Sequence, residues 1–254
     1  MNNIDISNSS LFLTAGLIFI SLAVGWYEKL KINKSIIYAA LRAVVQLFVV
    51  GYVLKYVFAI DNWILTFTLM VIIIVNSSIN ASNRSDGLKN GLWISLAAIS
   101  SSTIIVIGVI TLSGAIKFVP SQVIPFTGMI ASNSMVALGL CYRNMNAGFH
   151  DRRQQVMEKL ALGADVSTSC KDILRDSIKT GLQPTIDTAK TVGLVALPGM
   201  MSGLILAGVD PVHAIKYQIM VIFMLLGITA ITTIIACYLG YRSFYNSRMQ
   251  LTRF

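Results

Sequence analysis

The chain has 254 residues, of which 55% are hydrophobic and only 12% are charged. A soluble domain usually carries about twice that charged fraction, so the composition excludes an ordinary soluble protein. The net charge of +9 would suit a nucleic-acid binder. Its distribution along the chain instead indicates a membrane protein, with the lipid bilayer and not a nucleic acid as its surroundings.

The hydrophobic residues are concentrated in segments long enough to cross a bilayer, which takes about 17–25 mostly apolar residues. We therefore predict an all-α polytopic membrane protein with about seven transmembrane helices, forming a single domain over 1–254. The predicted spans are 9–27, 36–58, 63–80, 91–114, 122–142, 185–208 and 213–240.

The basic residues fall mainly on one side of these spans, with 17 of the 20 lysines and arginines on that side and 3 on the other. Because basic loops stay in the cytoplasm, we predict an outside N-terminus, a cytoplasmic C-terminus and a cytoplasmic segment over 143–183. The first span is preceded by Asp5, with no lysine or arginine and no cleavage site, which predicts a retained helix.

Three of the first five spans carry polar side chains that an anchor would not need. Arg42 and Gln46 lie four residues apart on one helix face. Arg42 either reaches the interface or pairs with an acidic group, and these alternatives are evenly balanced. Asn76 lies near the end of the third span. Asn133, near the middle of the fifth, either joins helices or lines a pathway.

The segment 143–183 contains two amphipathic helical patterns. Leu160 lies on the apolar face of the first, and Leu174 on that of the second. Ser169 and Asp172 are spaced as a capping box, and Gly181 with Pro184 is expected to end the second helix. Such a hairpin either lies on the membrane surface or docks onto a cytosolic partner. Its mixed charges favour the partner.

The sixth span, 185–208, is interrupted near its middle by Pro198 and Gly199. Proline removes a helical hydrogen bond, and freed carbonyls persist at membrane depth only where protein or water satisfies them. We therefore expect this segment to pack inside the bundle, beside a transport route. Asp187 and Lys190 near its start form either an interfacial ion pair or a cytoplasmic entrance for a cation.

The chain lacks the patterns of familiar enzymes. It has no phosphate-binding G-x-x-x-x-G-K-[ST] loop, no H-E-x-x-H and no G-x-S-x-G. Its two histidines, His150 and His213, fall on opposite sides of the predicted membrane. We therefore expect a transport protein and not an enzyme.

Four runs of residues, together with a fifth around Gln218, follow one another in a specific order along essentially the whole chain. They resemble the FetB/YbbM family of ABC-transporter permeases. The runs are Leu41–Leu47, Gly128–Met135, Glu158–Ala164, Asp187–Gly203 and Tyr217–Ile219.

The resemblance implies a multi-pass permease of the inner (plasma) membrane that works as a homodimer with a cytosolic ABC ATPase subunit. That partner would bind ATP, and this chain would bind no cofactor. The run from Glu158 to Gly163 is similar to the ATPase-coupling loop of bacterial permeases, although the spacing is one residue shorter. With Leu160 and Leu174, these residues are the predicted coupling contact.

The resemblance also implies metal export, with bacterial members associated with iron and plant relatives with aluminium tolerance. The residues themselves leave the ion open. Asp187, Asn133, Asn76 and Gln218 supply the oxygen and nitrogen ligands that ferrous iron accepts. Met200 and Met201 suit a softer ion such as Cu(I), although methionines in an apolar chain more often fill packing gaps.

Two other hypotheses remain open from the sequence. In one, the chain is a stand-alone ion-coupled carrier that uses Asp187 as its protonatable group. In the other, it is a membrane scaffold whose hairpin recruits a cytosolic protein. A carrier should work without an ATPase, and a scaffold should tolerate neutral replacements at Asn133 and Asp187.

Overall fold

A computed structural model describes residues 8–60, 62–85, 88–195 and 197–251. Over these ranges the only regular structure is helical, as predicted. The chain divides into two compact units, 1–61 and 62–254, and each is considered by itself. That both form one domain therefore stays a prediction, as does the outside N-terminus, since Asp5 lies outside the described residues.

The first unit is a helical hairpin. It consists of α1 (Asn8–Tyr27) and α2 (Asn33–Ala59). The Asn33 side chain donates a hydrogen bond to the carbonyl of Leu22 across the turn, at 3.3 Å. Apolar side chains cover both helices, as expected for segments surrounded by lipid.

The second unit is a helical bundle that ends in a 3₁₀ turn, Tyr241–Phe244. Its helices are α3 (Trp63–Asn83), α4 (Gly91–Leu112), α5 (Pro120–Asp151), α6 (Arg153–Ala161), α7 (Val166–Ser169), α8 (Lys171–Thr191), α9 (Gly199–Leu206) and α10 (Pro211–Gly240). In the described residues, five helices are long and apolar enough to cross a membrane, namely α2, α3, α4, α5 and α10. The prediction of a polytopic helical membrane protein is confirmed.

The sixth predicted span, 185–208, falls into two helices, in agreement with the interruption predicted at Pro198 and Gly199. Its first residues belong to α8, which begins at Lys171 in the predicted cytoplasmic segment and runs past Gly181 and Pro184 without ending. The chain then leaves the helix at Val192, and α9 begins only at Gly199. The boundaries of the cytoplasmic segment, 143–183, are inaccurate, because α5 continues to Asp151.

The centre of the bundle is joined by hydroxyl groups as well as apolar packing. Ser102 of α4 and Thr232 of α10 form a 2.7 Å hydrogen bond, and Ser134 of α5 lies 3.3 Å from the same Thr232 hydroxyl. All three side chains are fully buried. The Ser102 hydroxyl also bonds to the carbonyl of Ala98 in its own helix, so this trio joins three helices in the packed centre of the bundle.

The basic ends of the helices lie together. The Asn146 side chain donates to the carbonyl of Ser85 at 2.9 Å, and the Ser243 hydroxyl donates to the carbonyl of Lys89 at 2.8 Å. The ring of Phe149 stacks on that of Phe244, with centroids 4.1 Å apart. The α3–α4 loop, the end of α5 and the end of α10 therefore share one end of the bundle, which the charge rule assigns to the cytoplasm.

Candidate transport pathway

α8 lies alongside α5, and three contacts fix their antiparallel register. A Cβ added to Gly148 would meet Ile173, the Ser177 hydroxyl donates to the Asn144 side chain at 3.2 Å, and Gly181 lies against Cys141 and the Ala137 carbonyl. Each advance of four residues on α8 thus matches a retreat of about four on α5. The two helices therefore lie side by side, and α8 runs towards the predicted outer side of the membrane.

Gly181 is the point of closest approach. A Cβ at this position would lie 2.8 Å from a Thr233 methyl group of α10 and 2.9 Å from the Ala137 carbonyl oxygen of α5. Since a backbone oxygen cannot move aside cheaply, only glycine lets the three helices meet here.

We expect Gly181→Ala to lower the stability of the protein by about 1–3 kcal/mol through overpacking. Gly128→Ala in α5 is the matched control, because nothing lies within 4 Å of a Cβ at that position and alanine favours the helix by about 0.5–1 kcal/mol. Thermal unfolding in detergent should show the first variant below the wild type and the second at or above it. Equal melting temperatures would contradict the close contact.

The opposite face of α8 is polar along its length and is not covered by the described residues of this bundle. Its buried side consists of Ile173, Leu174, Ser177 and Gly181. The exposed side of α8, hereafter the polar face, is made by side chains at roughly helical spacing, namely Lys179, Gln183, Asp187 and Lys190. Such a face has no apolar side to offer lipid, so this part of α8 is suited to line a water-filled or protein-covered space.

Asp187 lies level with the middle of α4 and α5, and the cytoplasmic entrance expected at this residue stays a prediction. It lies six residues, or about 9 Å, beyond Gly181 along α8. The α5 register therefore places Asp187 level with Asn133 and Ser134. Ser134 belongs to the hydroxyl trio, whose Ser102 is halfway along α4. A charge at this depth is costly, and such residues are rare outside functional positions.

The partner of Asp187 differs from the predicted ion pair. Its carboxylate accepts a hydrogen bond from the Gln183 side chain at 2.8 Å, and among the described residues no ion pair joins it to Lys190. Gln183 was not among the predicted site residues, although its position four residues before Asp187 signals the contact. The ammonium of Lys190 thus remains available to another group.

The helix break lies further along the same route. The carbonyls of Leu194 and Val195, which Pro198 was expected to free, accept no hydrogen bond from the described residues. Both side chains are more than 80% exposed. At the break itself, these two side chains are therefore not packed inside the bundle.

The two predicted methionines follow the break in α9. Met200 packs against the outer apolar cluster, which includes Met70 of α3 and Met224 of α10, and Met201 is half-buried. Met200 thus has the gap-filling role typical of methionine. In the part of the chain that is described, no group of three or more histidine, cysteine, aspartate or glutamate side chains comes together.

The remaining predicted pathway residues are dispersed. Asn133 is half-buried and donates to the carbonyl of Met129 in its own helix at 2.8 Å, while exposed Asn76 accepts from Asn80 at 2.7 Å. In the first unit, Arg42 and Gln46 are exposed, and the Arg42 guanidinium lies 6.0 Å from the Tyr38 ring centre. Their roles stay predictions.

Gln218 is the buried member of the predicted set. Its side chain is 7% exposed, on the inward face of α10 one turn before Val221 of the outer apolar cluster. Its amide oxygen is buried without a hydrogen-bond partner among the described residues. An unpaired buried carbonyl is a costly feature in a natural protein.

At the cytoplasmic end, the coupling contact expected at Leu160 and Leu174 stays a prediction. Leu174 is only 1% exposed, and Leu160 is half-buried against the core cluster that contains Leu174. The exposed apolar residues are instead Met157 and Leu162, the latter 88% exposed. The amphipathic pattern identified the helices correctly, but their apolar faces pack into the core cluster of the bundle.

Gly163 and Glu158 shape the turn that presents Leu162. Gly163 has a φ of +88°, a conformation that favours glycine, and the Leu162 amide donates to the carbonyl of Glu158 at 3.0 Å. The ion pair between Lys159 and Asp172, at 2.9 Å, ties the turn to the start of α8. The hairpin tip therefore presents the apolar side chain of Leu162 to the exterior in a fixed position.

The predicted capping box is wrong, because Asp165 caps the hairpin instead. Its carboxylate accepts from the Ser167 hydroxyl at 2.6 Å and from the amides of Ser167 and Thr168. These bonds, that of the hydroxyl first, lower the pKa of Asp165 to about 2. Because the pKa is lowered, the ionised Asp165 stabilises the fold at pH values above the ordinary pKa of aspartate. This stabilisation is lost only as the pH falls towards 2, so the cap is intact throughout the physiological range.

Comparison with known proteins gives a consistent result. The family model described as "Uncharacterised protein family (UPF0014)" matches residues 8–245. The "Probable iron export permease protein FetB" of Escherichia coli (strain K12) is 51% identical, with 99% of this chain and 97% of that protein covered. The "UPF0014 membrane protein YjkA" of Bacillus subtilis (strain 168) is 32% identical, with 95% and 97% covered.

A plant protein is also similar. The "Protein ALUMINUM SENSITIVE 3" of Arabidopsis thaliana is 30% identical, with 93% of this chain and 88% of that protein covered. No solved structure gives a significant match.

Proposed function

Since this chain belongs to the UPF0014 family, we propose that it is the membrane permease subunit of an ATP-driven exporter that moves a metal cation out of the cytoplasm. A separate cytosolic ABC ATPase supplies the energy, and two copies of this chain form the membrane part. Iron is the first candidate substrate, because the Escherichia coli relative is named a probable iron export permease.

The single observation that carries the proposal is the polar face of α8 at membrane depth. Asp187 supplies a negative charge for a cation, and Gln183 holds its carboxylate in place. Beyond it, the free carbonyls of Leu194 and Val195 offer further oxygen ligands. A cation leaving the level of Asp187 would therefore meet oxygen atoms on its way to the outer face.

Energy coupling is assigned to the hairpin tip at Leu162. In the proposed cycle, ATP binding draws the two ATPase subunits together, and the tips follow them. Because the Lys159–Asp172 pair and the apolar core join the tip to α8, a movement of the tip shifts α8. That shift would turn the polar face from the cytoplasmic to the outer side.

A second candidate is favoured by the same carboxylate. An acidic group at mid-membrane with a neutral partner is typical of proton-coupled carriers, so a stand-alone carrier that exchanges protons for the cation is the alternative.

Reconstitution into lipid vesicles separates the two. We expect vesicles that contain this chain and its co-purified ATPase to move ferrous iron only when ATP is supplied on the ATPase side. Vesicles with this chain alone should not transport, even with a proton gradient. Gradient-driven transport without the ATPase would replace the exporter by the carrier, and no transport in either case would leave a membrane scaffold.

A further inference from the structure

We propose that the polar face of α8 and the neighbouring α9 form the contact with a second copy of this chain, about a two-fold axis along the membrane normal. This rests on the proposed function only in that two copies are needed. It adds which surface joins them, and it places the transport pathway at their junction.

The first argument is the position of the charges. Asp187 and Lys190 are exposed at the depth of the hydroxyl trio, and lipid cannot solvate charged groups there. α8 already uses its other side against α5 and α10. What covers the polar face must therefore come from outside the 62–254 bundle, and it must carry charges of its own.

The second argument is the exposed backbone after α8. Residues 192–195 and 197–198 are not helical, and among the described residues the amides of Gly193 and Leu197 have no acceptor. The register places Thr191 level with about residue 129 of α5, roughly 14 Å inward from Pro120. Irregular backbone is tolerated at such depth only against protein or a water-filled cavity.

The third argument is charge complementarity, which selects a second copy as the occupant. About an axis along the membrane normal, two α8 helices run parallel, with equal residues at equal height. Asp187 of each copy then lies less than one turn, about 4.5 Å, from the height of the other copy's Lys190. A lysine side chain spans that offset, so two ion pairs form, as between parallel coiled-coil helices.

The shape of the surface agrees with this arrangement. Gln183 points between the directions of Asp187 and Lys190 on the helical wheel, nearest the axis. In α9, a Cβ at Gly199 or Gly203 would meet nothing within 4 Å, so another helix has room to approach closely. The break would then be covered by the second copy and by water held between the two chains.

Cysteine cross-linking of the full-length protein in native membranes tests the contact without any need for transport. We expect Gln183→Cys to form a disulfide-linked dimer for most of the protein upon mild oxidation. The matched control is Ile104→Cys, an exposed residue of α4 near the same depth, which should remain monomeric. The native cysteines are all buried, so the wild type serves as the background.

Equal cross-linking at both positions, or none at Gln183→Cys with the protein inserted, would overturn the proposal. If the dimer forms but vesicles fail to export metal, the interface stands and the proposed function fails. If export is normal but no dimer forms, the proposed function stands and the interface fails.

Differently tagged copies test the ion pairs themselves. A chain with Asp187→Lys carries two positive charges at positions 187 and 190, and a chain with Lys190→Asp carries two negative charges at these positions. Upon co-expression, we expect the mixed dimer to exceed either self-dimer at least tenfold in tag-specific pull-downs, whereas tagged wild-type copies should mix statistically. Statistical mixing of the two variants would overturn the pairing. If Asp187→Lys does not insert, Asp187→Asn with Lys190→Asp provides the same comparison with a smaller expected bias.

Discussion

Asp187→Asn should reduce metal efflux from ATPase-containing vesicles by about tenfold or more, with expression and insertion unchanged. The asparagine keeps the shape of the side chain and its hydrogen bond to Gln183, so the fold is retained. The substitution removes the carboxylate charge, whose attraction for a monovalent cation at 4 Å is about 4 kcal/mol at an effective dielectric constant of 20. Initial efflux rates at equal protein density provide the measurement.

Two further variants make the result specific. Asp151→Asn removes a carboxylate that is exposed at the cytoplasmic end of α5 and contacts only its neighbour His150 among the described residues, and it should leave efflux unchanged. Lys190→Gln should preserve or increase cation capture, because it removes a positive charge from the same face. If Asp187→Asn vesicles export metal at the wild-type rate, Asp187 has no role in the pathway, and Arg42, Gln46 and Asn133 become the next residues to test.

Leu162→Asp should weaken the association with the ATPase subunit by about thirtyfold or more, while the permease remains folded and inserted. The side chain is 88% exposed, so its replacement removes little buried contact. A carboxylate placed in an apolar interface has to be desolvated without a partner, which costs at least about 2 kcal/mol. Co-purification in detergent, with binding measured against ATPase concentration, checks the result.

The matched control is Gln155→Asp, which adds the same charge at an exposed position of α6 away from the tip. It should retain the ATPase. Leu174→Asp is unsuitable as a probe, because that leucine is buried and its replacement would disturb the fold. Unchanged co-purification of Leu162→Asp would move the contact to the described residues of the α3–α4 loop, 84–85 and 88–90.

The sequence by itself determined the class of the protein and much of its local structure. Long apolar runs and the scarcity of charge are sufficient for a polytopic helical membrane protein, because the bilayer leaves few other solutions. The amphipathic patterns around Leu160 and Leu174 located the hairpin helices correctly. Pro198 correctly marked an interruption of the helix, because proline lacks a backbone N–H to donate whatever the segment packs against.

Only the tertiary structure decided which surfaces those helices cover, because hydrophobic periodicity shows that a face is apolar but not what it packs against. Leu174 therefore proved to be core and Leu162 the exposed tip. Pro184 was expected to end α8, yet the packing of Gly181 between α5 and α10 outweighs one missing hydrogen bond and continues the helix to Thr191. That continuation carries Asp187 to the level of Asn133 in α5, because depth in the bundle is set by the register between helices and not by distance along the sequence.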